Sequence, residues 1–186
     1  MKSLILSTVA ASILAAGAMA QTTEAGLRRE NQQDRVAQGV KSGQLTAGET
    51  ARLENREAAI NHEVRADRSL NGGKLTGQEK RIVNGQQNRM SKQIYQDKHN
   101  AATAHYGNNR VGSRRENQQD RIANGIASGR MTAGQAARTE KGESATNQEV
   151  RTDRSLNGGR LTPGERTHVN GQQNRMSNKI YTAKHS

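Results

Sequence analysis

DRSLNGGKLTGQE, Asp67 to Glu79, is the stretch that decides the fold, and it returns as DRSLNGGRLTPGE from Asp153 to Glu165. Each copy reads as a helix stop followed by a helix start. Gly72 and Gly73, like Gly158 and Gly159, can take the left-handed backbone conformation that ends a helix. Thr76 with Glu79, and Thr162 with Glu165, then form capping boxes: the hydroxyl accepts from a first-turn amide and the carboxylate reaches back to the cap. Pro163 falls at the first helical position, where its missing amide proton costs nothing. A weaker version of the junction lies upstream in each half, at Ser42, Gly43, Leu45, Thr46 and Glu49 and at Ser128, Gly129, Met131, Thr132 and Gln135. Four such junctions predict an all-α chain.

The chain is an internal duplication with an offset of 86 residues: RRENQQDR at Arg28 recurs at Arg114, and NGQQNRMS at Asn84 recurs at Asn170. Within each copy a fainter offset of 30 sets Leu53, Ile60 and Val64 on Val83, Met90 and Ile94, one apolar helix face. The pattern predicts three helices per module, near residues 28–40, 47–70 and 77–99, then 114–126, 133–156 and 163–184. Each module is expected to be a three-helix bundle or an open hairpin stack. The organisation expected is a signal peptide over 1–20, one module over 21–99, a flexible Gly/Asn-rich linker over 100–113 and a second module over 114–186. The middle helix of the second module reads as the weakest, because Leu53 becomes Thr139, Ile60 becomes Thr146 and Gly142 enters it.

Lys2, the apolar run from Leu4 to Ala16 and the small residues Ala18-Met19-Ala20 predict export with cleavage after Ala20, to a periplasm or the cell exterior. The run is short for a membrane span. Without cysteine there is neither disulfide nor lipid anchor. Only 31% of residues are hydrophobic, with no Phe or Trp, so a thin core is expected, and self-association as a homodimer is one way to stabilise it. A formal charge of +12 favours acidic partners: anionic polymers or acidic proteins of the envelope, and weak, salt-dependent nucleic-acid binding.

Asp67, Ser69, Asn71 and Gly72 spell DxSxNG, and Gly73 to Glu79 reads GxLTxxE. The two halves resemble those of an EF-hand calcium loop, joined over thirteen residues where the family loop has twelve. The resemblance implies calcium held by Asp67, Ser69, Asn71 and Glu79, and by Asp153, Ser155, Asn157 and Glu165 in the second copy. Capping chemistry alone is the competing reading of the same residues. The motifs LTAGE, LTGQE, MTAGQ and LTPGE also resemble the LTxxQ motif of Spy/CpxP-type periplasmic stress proteins. That likeness implies a dimeric helical cradle for unfolded clients.

Other chemistry finds little support. His62, His99, His105, His168 and His185 show no zinc or copper spacing, and His99 and His185 fall near helix ends. Met90 and Met176 lie on the apolar face and read as core. No nucleophile elbow, phosphate-cradling loop or cysteine nucleophile is present, and the carboxylates read as caps or as solvated partners of arginine, so the chain is not expected to be an enzyme.

Overall fold

Six helices and no strand account for the ordered structure in a computed structural model that describes residues 24–186; the expected signal peptide lies outside the described residues. They are α1 (Glu24–Lys41), α2 (Ala47–Leu70), α3 (Gly77–Lys98), α4 (Arg110–Ala127), α5 (Ala133–Leu156) and α6 (Pro163–His185). None is long and apolar enough to cross a membrane. The capping boxes set the starts. Thr46, Thr76, Thr132 and Thr162 each accept from the amide three residues on, and Glu49, Glu79, Gln135 and Glu165 each return a bond to the cap amide at 2.7–2.9 Å.

Like packs on like. The most extensive helix pairing is α2 against α5, followed by α1 against α4, while α3 and α6 cover the outer sides of their own halves. One apolar core therefore runs through both copies, from Val36, Leu45, Leu53, Met90 and Ile94 to Ile122, Met131, Ala136, Met176 and Ile180. This shared interior is how a chain so poor in large hydrophobics assembles a core.

The repeated motifs are latches between helices. In RRENQQDR the buried Gln32 donates to the Gln87 carbonyl (2.6 Å) and the Ser91 hydroxyl (2.7 Å), and Gln87 donates back to the Ala25 carbonyl (2.8 Å). Gln118, Gln173, Ser177 and Val111 repeat the pattern between α4 and α6. Arg28 and Arg35 close the same face on Asn88 and the Ser91 carbonyl. Each latch replaces apolar packing with buried hydrogen bonds.

One expectation needs correction. Residues 110–113, assigned to the linker, form the first turn of α4, because the Asn109 side chain caps it by accepting from the Gly112 amide at 3.1 Å. The connection before it is tied to the first half, with the Ala104 amide donating to the Gly43 carbonyl (2.9 Å) and Asn100 to Glu49 (2.7 Å). The middle helix of the second copy spans 24 residues, as its counterpart does. Gly142 is a notch in it: a Cβ there would collide with the Met176 Cε, so the missing side chain makes room for a buried methionine.

Candidate functional site

The junctions place the eight residues of the calcium reading as follows. Asp67 and Ser69 end α2, Asn71 is its C-cap, and Glu79 is the third residue of α3. Ser69 donates to the Ala66 carbonyl (2.7 Å), and Asn71 donates through its amide to the Asp67 carbonyl (2.9 Å) and the Glu79 carboxylate (2.8 Å). Glu79 also accepts from the Thr76 amide (2.7 Å), and this hydrogen bond first, with those from the Thr76 and Asn71 side chains, holds its carboxyl below the usual range. Asp153, Ser155, Asn157 and Glu165 repeat the set. Gly72 and Gly73 take φ of +60° and +87°, so the chain reverses without side-chain strain. Among the described residues no group of three or more His, Asp or Glu is arranged to hold a metal ion.

Beside each junction the structure opens a cleft that the sequence reading missed. The first, of about 380 Å³, is walled by Arg68, Lys74 and Lys80 over Leu75, Val83 and Ala25. The second, of about 650 Å³, is walled by Arg110, Arg154, Arg160 and Arg166 over Val111 and Leu161. Eight of the nine positions that line the first recur in the second at the offset of 86, and Glu24, which lines the first, is replaced by Arg110 in the second. The signal was available as cations spaced six apart, at 68, 74 and 80 and again at 154, 160 and 166.

The carboxylates make the opposite movement, inward. Glu54 and Glu57 on α2, with Glu140 and Glu143 on α5, are at most 1% exposed. This corrects the expectation that acidic residues stand at caps or in solvent. Burial pushes the Glu54 carboxyl up to about 8 despite the nearby Gln33 amide, and the Glu57 charge adds to the shift. Gln33 bears on Glu54 without hydrogen-bond geometry, since neither its Nε2 nor the Glu54 oxygens have a partner. Glu140 is raised well above the ordinary value by burial, against a 3.0 Å hydrogen bond from Gln119. Glu143 rises to about 7 by burial, opposed by Arg115, and Glu57 rises by burial, opposed by Arg29. Arg115 is itself buried, with its guanidinium 5.4 Å from the Tyr106 ring centroid. Glu57 falls on the same stripe as Leu53, Ile60 and Val64, a position that helical spacing alone would have marked as interior.

The histidines stay outside this arrangement. His99 and His185 stack on Tyr95 and Tyr181 (centroids 4.2 Å apart) and bond the tyrosine carbonyls four residues back. Met90 and Met176 are buried in the core. No protein-family model matches the sequence, and neither a curated protein nor a solved structure matches it. The functional reading therefore rests on the geometry and charge of the chain itself.

Proposed function

We propose that this is an exported, non-catalytic helical repeat protein, two homologous modules in tandem, that binds anionic polymers or acidic envelope proteins through its basic surface. One observation supports the reading: the two signs of charge are sorted by depth. Six of the 17 carboxylates, Glu49, Glu54, Glu57, Asp97, Glu140 and Glu143, are buried, whereas Arg115 is the one buried Lys or Arg among the described residues. The surface is thus more basic than the composition. The chain from Gln21 onward, without Lys2, carries a formal +11, and with Glu54 protonated near neutral pH one negative charge disappears and this becomes +12, while burial shifts Glu140 in the same direction. A field of that sign attracts polyanions and speeds their encounter. Isothermal titration of the chain from Gln21 onward with heparin, polyphosphate and uncharged dextran tests it. Binding to the two polyanions and not to dextran is expected; equal binding to all three, or to none, would end the proposal.

Ion binding at the junctions is the second reading. Its support is that Asp67, raised first by desolvation, also feels the charges of Glu79 and Glu63, and Asp153 those of Glu165 and Glu149. A cation would relieve that repulsion. A calcium-dependent rise in melting temperature that Asp67→Asn with Asp153→Asn removes would carry it, and superimposable melts with calcium and with chelator would remove it.

A further inference from the structure

The paired clefts are more than parts of a diffuse basic surface. We infer that each is a discrete subsite for a tetrahedral oxyanion, a phosphate or sulfate group carried on a polymer, and that the second cleft is the tighter of the two. The inference rests on the polyanion reading above and adds where the anionic group is held.

Four arguments converge. Arg110, Arg154, Arg160 and Arg166 come from three separate places, the start of α4, the end of α5 and the α5–α6 junction running into α6, and the fold brings them around one cavity. Guanidinium groups offer planar, paired donors that match the oxygens of phosphate and sulfate, with no acceptor of their own to satisfy. The floor of Val111 and Leu161 packs on the small apolar cluster of Val150 and Val169, so an anion seated there is partly withdrawn from water and its charge contacts strengthen. Finally, the cleft lies where two helices begin: Asn109 caps α4 and Pro163 opens α6, and both line it. Helix starts carry partial positive charge, which favours an anion, and because the Thr162–Glu165 capping box already occupies the start of α6, the start of α4 contributes most of it.

The first cleft has the same architecture at lower charge. Arg68 matches Arg154, Lys74 and Lys80 stand in place of Arg160 and Arg166, and Glu24 stands where Arg110 stands in the second. Lysine offers a point charge in place of a fork, and Glu24 repels the ligand. The duplication thereby places two unequal anion sites on one chain, an arrangement suited to a polymer that presents repeated anionic groups.

The test compares two variants of the chain from Gln21 onward, each losing four positive charges. One carries Arg110→Gln, Arg154→Gln, Arg160→Gln and Arg166→Gln; the other carries Arg81→Gln, Arg89→Gln, Lys92→Gln and Arg175→Gln, all exposed and outside the clefts. Affinity is read by fluorescence anisotropy with labelled polyphosphate and labelled heparin at low salt. If each seated contact releases about one counterion, the cleft variant loses on the order of 100-fold in affinity and its log–log salt slope falls by about 3–4, while the surface variant loses about 3-fold. Loss with polyphosphate alone, with heparin alone or with both supports the clefts and identifies the oxyanion. Equal losses in the two variants overturn the subsites and leave the diffuse reading standing. Failure of the unmodified chain to bind either polymer overturns both. Arg110→Glu, which places in the second cleft the residue type found at position 24, is the milder variant should the fourfold change reduce helicity. It is expected to weaken binding about 10-fold, and an unchanged affinity overturns the inference.

Discussion

Replacing Glu54 by glutamine should stabilise the protein near neutral pH and leave it unchanged in mild acid. In the folded protein the Glu54 carboxyl, pushed up to about 8, holds a proton that the unfolded chain, at its ordinary 4.5, has released by pH 7. Between 4.5 and 8 the folded state binds more protons than the unfolded one, so stability is full below about 4.5 and falls as pH rises towards 8. Each pH unit costs about 1.4 kcal/mol, which makes roughly 3 kcal/mol at pH 7. Glutamine is close in shape and takes up no proton, so Glu54→Gln recovers that amount. For a chain of this size the melting temperature should rise by roughly 6–12 °C at pH 7 and stay within about 1 °C at pH 4. The assay is circular dichroism melting of both proteins from pH 4 to pH 8. The groups facing Glu54 are Gln33 from α1, Glu57 from its own helix and Glu140 from α5, and none is a cation. A fall in melting temperature across the whole range, or no change at pH 7, would refute the reasoning.

Other outcomes follow from the packing. Thr76→Ala together with Thr162→Ala removes two caps and should cost about 1 kcal/mol each by urea denaturation, with the effect confined to stability. Gly85→Ala, whose new methyl meets only the Arg89 guanidinium at 3.6 Å, should gain up to about 1 kcal/mol from helix propensity. Gly142→Ala makes the same chemical change against the terminal methyl of Met176, which has to swing aside, so it should gain less than Gly85→Ala; equal effects at the two positions would show that the notch is not filled. Gln32→Leu removes both of its hydrogen bonds and leaves the Ser91 hydroxyl and the Gln87 carbonyl short of a donor, with a loss of about 2 kcal/mol expected in the same denaturation assay.

The helices were legible because their ends are written in side-chain chemistry. Thr46 with Glu49 and Thr132 with Gln135 fix the starts of α2 and α5, and Asn71 and Asn157 mark where they end. The start of α4 was missed because Asn109 caps it from within a polar segment that reads as loop. The pairing of α2 with α5 was hidden for a different reason: the buried Glu54 and Glu140 face one another across it, and polarity alone assigns both to solvent. Glu57 could have been placed inside by its spacing, but burial of Glu54 and Glu140 depends on what the fold brings over them, here the opposite helix with Gln33 and Gln119, and no local pattern encodes that. The Gln32 and Gln118 latches escaped for the same reason, since glutamine leaves no trace in an apolar periodicity. The clefts lay between the two cases. Their cations recur in the sequence, but only the turn at Gly73 and Gly159 and the arrival of α1 and α4 bring them around one cavity.

Charge sorted by depth is the central claim, and the salt dependence of polyanion binding tests it most directly. Fluorescence anisotropy of labelled polyphosphate with the chain from Gln21 onward, at sodium chloride from 50 to 400 mM and pH 7, gives the number of contacts from the slope of log affinity against log salt. The account predicts a straight line with a slope of about −5 to −8, set by the two clefts together. Binding that does not change with salt, or no binding at the lowest salt, would contradict it.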